Sequence, residues 1–102
     1  MSEIDVALAA MRTDARLWDR AADDAQGPRS ALDGVTLTPE DVSKWAADAG
    51  LLQTYDQAIM QVQTLLQQGA DNFHAIAQAL RASAETYQRE DEAGRHTFDS
   101  TY

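Results

Sequence analysis

Residues 55–87 read YDQAIMQVQTLLQQGADNFHAIAQALRASAETY. Within them Tyr55, Ile59, Val62, Leu66, Gly69, Phe73, Ile76, Leu80, Ser83 and Tyr87 follow one another in alternating steps of four and three. A repeat of about 3.5 residues keeps one stripe of a helix turned toward one partner. From Leu51 to Gly94 the chain has no proline and a single interior glycine, Gly69, so nothing forces that helix to stop. The spacing predicts a long helix over about 51–92, which at ~1.5 Å per residue would be about 50–60 Å long. Ala58, Leu65 and Ala79 flank the stripe on one side, and Ala70, Ala77 and Ala84 on the other. Gly69 in the stripe marks a close helix crossing or a slight bend, at a propensity cost of about 1 kcal/mol relative to alanine.

A second stripe, Ile4, Leu8, Met11, Ala15, Trp18, Ala22 and Ala25, has the same alternation and predicts a helix over about 3–26. Ser2 and Asp5 stand at capping-box spacing at its start. Gly27-Pro28 should end or kink it, because the residue before a proline avoids helical geometry. Residues 27–38 are rich in turn formers and read as a connector. Thr38-Pro39-Glu40-Asp41 reads as the start of a short helix over about 39–49, with Thr38 as cap and Pro39 at the first position. Val42, Trp45 and Ala46 would face inward there, and Gly50 would end the segment or bend it into the long helix. After Gly94 the pattern lapses, and 95–102 reads as a flexible tail.

The expected fold is therefore all-α. A single domain over 1–94 forms an antiparallel helical hairpin with one long C-terminal helix. Each helix covers only the surface that faces it. A stripe this wide leads us to expect dimerisation into a four-helix arrangement. Leu8, Met11, Trp18, Trp45, Tyr55, Ile59, Val62, Leu66, Gly69, Phe73, Ile76 and Leu80 are the expected packing and partner residues. Trp18 and Trp45 read as core or interface residues.

Composition narrows the function. The chain has 102 residues and a net charge of −9, from 17 acids against 8 bases. Arg12, Arg16 and Arg20 share one face but stand among Asp14, Asp19, Asp23 and Asp24, which reads as a solvated, ion-paired surface and not a nucleic-acid stripe. No apolar run approaches the ~20 residues needed to span a bilayer, so no membrane insertion is expected. The N-terminus lacks the basic and apolar regions of a cleaved signal peptide.

Catalytic chemistry is not suggested either. There is no cysteine, one lysine (Lys44) in a polar segment, and no glycine-rich phosphate loop. Asp71 and His74 have ligand-like spacing, but one acid and one histidine do not fill a metal site and read as a surface pair. No enzyme activity, cofactor or metal is expected.

One further motif lies near the end of the long helix, Tyr87-Gln-Arg-Glu-Asp91. Its tyrosine and aspartate are one turn apart, with Tyr87 the last member of the stripe and Asp91 at its edge. A helical, acidic, cysteine-free chain of this length, ending in an alanine-rich helix with that motif, resembles the helical-hairpin substrates of type VII (ESX) secretion. It is similar to the EspC-like secretion-target group over residues 2–94. The resemblance implies that Tyr87 and Asp91 form the Tyr-x-x-x-Asp/Glu export signal and contact the secretion machinery. It implies a chain cytoplasmic before export, then secreted or at the cell surface. Its partner would be another helical-hairpin protein or a copy of itself, or a larger effector that it escorts. The Trp-x-Gly turn of the WXG members is missing, since Trp18 precedes Asp19-Arg20 and Trp45 precedes Ala46-Ala47. A partner would then supply that turn. The alternative expectation is an intracellular coiled-coil adaptor, chaperone or immunity-type partner, in which the Tyr-x-x-x-Asp match is accidental.

Overall fold

A computed structural model describes residues 2–101, with side chains described for 2–94. The chain is all-helical, 84% helix with no strand among the described residues. It contains α1 (Glu3–Ala31), α2 (Lys44–Asp48) and α3 (Leu51–Thr101). It divides into two compact units: one comprises the chain up to Ala21 and from Asn72 onward, the other Ala22–Asp71.

The start of α1 follows from its first residues. Asp5 N donates to Ser2 Oγ at 3.1 Å, and Ser2 N donates to Asp5 Oδ2 at 3.3 Å, a reciprocal capping box. In the first unit α1 and α3 run antiparallel, with Arg12 opposite Gln88 and Asp19 opposite His74. Leu8, Ala15, Ala77 and Ala84 are buried there, the three alanines completely. The seven-residue spacing of Leu8 and Ala15, and of Ala77 and Ala84, places each pair along the line of contact. In the second unit, Ala22 and Ala70 are likewise fully buried.

The contact line is thus rotated from the one the spacing predicts. Ile59, Leu66, Phe73 and Leu80 are half-buried, and they border both possible lines. The companion column is Gln63, Ala70, Ala77 and Ala84, not Val62, Gly69, Ile76 and Ser83. Small side chains on both helices let two backbones approach closely, and the larger Val62 and Ile76 are left at the flank.

The first helix also continues past Pro28 to Ala31, beyond the expected end near 26. Proline removes one backbone bond there. The following turn closes again, with Leu32 N donating to Pro28 O at 3.2 Å. It gains a side-chain cap from α3: Gln63 Nε2 donates to Arg29 O at 2.9 Å and to Asp33 Oδ1 at 2.8 Å. A helix end leaves carbonyls unpaired, and Gln63 satisfies one. Gln63→Ala should therefore cost about 1–2 kcal/mol, read from urea unfolding, and should raise amide exchange at residues 29–33 first.

The short helix is shorter than the expected 39–49 and begins later. Thr38 N and Thr38 Oγ1 both donate to Asp41 Oδ2, at 2.9 and 3.0 Å, which closes a turn and not a helix. Ser43 is the cap that works, accepting from Ala46 N at 3.1 Å. Val42 and Ala46 are half-buried as expected, but Trp45 is 80% exposed. A single helical turn has one inward side, and Ala46 and Ala47 occupy it. Gly50, at φ +90°, ends α2, and its carbonyl accepts from Thr54 N at 3.1 Å in the first turn of α3. α3 then runs to Thr101, beyond the expected end near 92, because Gly94 alone does not break a helix. For the expected tail, the side chains of 95–101 and the whole of Tyr102 lie outside the described residues.

Candidate helix-packing surface

In the first unit the paired helices have a polar side and an apolar side. On the polar side Asp19 accepts from His74 Nδ1 at 2.8 Å and from Arg81 Nη2. Arg12 Nη2 donates to Gln88 Oε1 at 2.6 Å. Asp71, in the second unit, accepts from Gln67 on its own helix at 2.9 Å. Arg16 reaches Thr13 at 3.2 Å. The Asp19–His74, Asp19–Arg81 and Arg12–Gln88 contacts tie α1 to α3 along one edge, so that edge is in use.

His74, then Arg81, hold the Asp19 carboxyl below its ordinary value near 3.8 through hydrogen bonds to the charged form. A carboxylate with a depressed folded value stabilises the fold above its unfolded value. That contribution is lost as pH falls through the folded value. Unfolding midpoints measured from about pH 5 to about pH 2 should therefore fall, and Asp19→Asn should flatten that acid limb. The Asp41 carboxyl is lowered in the same sense by the Thr38 backbone N–H and hydroxyl.

The opposite side of this unit is apolar. Trp18 and Phe73 meet with ring centroids 5.3 Å apart at 49°, an arrangement that aromatic quadrupoles favour. Glu3, Ile4, Ala7, Leu8, Met11 and Tyr87 line an open groove. Ile76 remains 38% exposed and Tyr87 58% exposed. The other wall of Tyr87 faces a second groove with Ala82, Ser83, Thr86 and Glu90. Of the sequence-derived packing residues in this unit, Leu8 is buried, and Met11, Phe73 and Leu80 are half-buried. Trp18 and Ile76 reach the surface, as does the motif residue Tyr87.

In the second unit Tyr55, Ile59, Leu66 and Gly69 are half-buried and Val62 is 45% exposed. A Cβ on Gly69 would meet nothing within 4 Å, so no crossing among the described residues requires glycine there. Met60 and Leu65 are also exposed and line a shallow groove with Gln57, Gln61 and Thr64. Met60 falls off the alternating stripe, so the spacing does not mark it.

Tyr87 and Asp91 do not sit as the sequence suggests. Tyr87 is the exposed one, while Asp91 is half-buried on the column that continues Ala77 and Ala84. Asp91 lines a polar groove with Asp5, Arg12, Gln88 and Glu92, while Tyr87 lines the apolar groove with Ile4, Leu8 and Met11 and a mixed one with Ser83, Thr86 and Glu90. The two share one helix turn but open to different surroundings.

Among the described residues no helix is long and apolar enough to cross a membrane. No group of three or more histidine or acidic side chains among them is placed to hold a metal ion. Comparison with protein-family models, characterised proteins and solved structures gives no match.

Proposed function

We propose that this chain is a non-catalytic helix-packing protein that offers an apolar side to a helical partner. One observation carries the reading: the three-four stripe of α3 is only half used by α1. Phe73 and Leu80 are half-buried against it, while Ile76 remains 38% exposed and Tyr87, which shares a groove with Ile4, 58% exposed. A paired helix edge with a continuous apolar flank is half of a four-helix arrangement, and a second helical hairpin would complete it.

In this reading the chain is a type VII secretion substrate or the escort of a larger effector. It is cytoplasmic before export and secreted or surface-bound after it. The exposed Tyr87 ring is the part of the motif that another protein can grasp directly. The experiment is export of the tagged chain from a type VII-competent host, wild type beside Tyr87→Ala.

One observation favours the second reading, an intracellular adaptor, chaperone or immunity-type partner. Asp91 lies on the α1-facing column, where a carboxylate has a structural role without any export apparatus. Retention of both proteins inside the cell, with the partner co-expressed, would support that reading.

A further inference from the structure

The two grooves that flank Tyr87, one apolar and one of mixed polarity, share a property. Their only charged lining residues are acids, Glu3 in one and Glu90 in the other. Asp14 adds a third acid on α1, seven residues after the groove residue Ala7 and hence on the same flank. Three described bases of this unit are placed elsewhere. Arg12 and Arg81 are bonded to Gln88 and Asp19 on the polar side. Arg89 lines a separate groove with Glu85, Gln88 and Glu92.

We infer that the apolar side of this unit takes an amphipathic helix from a different protein, one whose apolar stripe is flanked by lysine or arginine. The inference rests on the helix-packing reading above and adds the partner's chemistry. An apolar stripe meets Ile4, Met11, Trp18, Ile76 and Tyr87, and basic flanks meet Glu3, Asp14 and Glu90. Opposite charge around an apolar centre steers encounter and fixes register, and like charge there rejects the wrong partner. A second copy of this chain brings the same acidic rim and a net charge of −9 against its own kind. Self-pairing is therefore the disfavoured assembly.

The test uses two synthetic helical peptides with the same leucine and alanine stripe at three-four spacing, one flanked by lysine and the other by glutamate. Binding is read from Trp18 fluorescence in a Trp45→Phe background, since Trp45 is 80% exposed and its replacement leaves one reporter. Sedimentation of the chain alone gives its own assembly state. The lysine-flanked peptide should bind about tenfold more tightly, the scale of a few rim ion pairs, and the ratio should shrink in high salt. Glu3→Gln with Glu90→Gln should narrow the ratio, and Ile76→Glu should abolish binding of both peptides.

Equal binding of the two peptides, or a ratio unmoved by the double substitution, overturns the basic-flanked partner while the helix-packing reading stands. Binding of neither peptide by a chain that dimerises with itself does the same, and makes a second copy the occupant. Binding of neither by a chain that stays monomeric removes both.

Discussion

Replacing Ala77 with leucine is expected to destabilise the chain by about 1–3 kcal/mol, the usual cost of forcing extra methylenes into a filled site. Ala77 is fully buried, as are Ala15 and Ala84 in the same unit. Leucine and alanine differ little in helix propensity, so the loss would come from packing and not from the helix itself. The melting temperature should fall by about 4–8 °C per kcal/mol in a domain of this size. Ile76→Ala is the paired control. An isoleucine at the centre of a core would cost about 2–5 kcal/mol on truncation. Ile76 is 38% exposed at the flank, so its truncation should cost under about 1 kcal/mol. The usual ranking is inverted here: enlarging an alanine should do more harm than deleting an isoleucine.

Tyr87→Ala should abolish export while leaving the fold nearly intact. The ring is 58% exposed, so its removal sacrifices about 1 kcal/mol or less of burial. Circular dichroism and melting of the variant should stay close to wild type, which separates a lost signal from a lost fold. Intracellular and culture-medium fractions of the tagged proteins, compared at equal solubility, give the readout. Loss of export with normal melting supports a signal centred on the ring. Export of the variant at the wild-type level removes Tyr87 from that role and leaves the packing surface untouched. Asp91→Asn should differ in kind, because Asp91 lines the polar groove beside Arg12. Its effect should appear in stability as well as in export.

Helix content was legible in the sequence from the three-four alternation and the lack of proline between Leu51 and Gly94. The Ser2–Asp5 capping box and the buried Leu8, Ala15 and Ala22 were legible for the same reason: each depends on neighbours within one helix. The rotation of α3 was not. Ile59, Leu66, Phe73 and Leu80 serve either contact line equally. Choosing between Val62 with Ile76 and Ala70 with Ala77 depends on what α1 presents. The available signal was the small size of Ala15 and Ala22, which suits a close approach better than bulky partners. Pro28 misled because the turn after it closes again through Leu32 N on Pro28 O, and the helix end is then capped by Gln63, distant in sequence. Trp45 misled because side-chain size suggests burial, whereas a single turn of helix offers little surface to bury it.

Which column of α3 faces α1 can be read by thiol labelling, which the cysteine-free chain makes unambiguous. Single variants Ala77→Cys and Ile76→Cys, dilute and alone, would be exposed to a maleimide and their rates compared. A thiol at 76 is expected to react freely. A thiol at 77 should react at least about a hundredfold more slowly, since its labelling must wait for the helices to part. Equal rates, or protection at 76 with free reaction at 77, would place the contact line on the larger side chains and leave no open stripe for a partner.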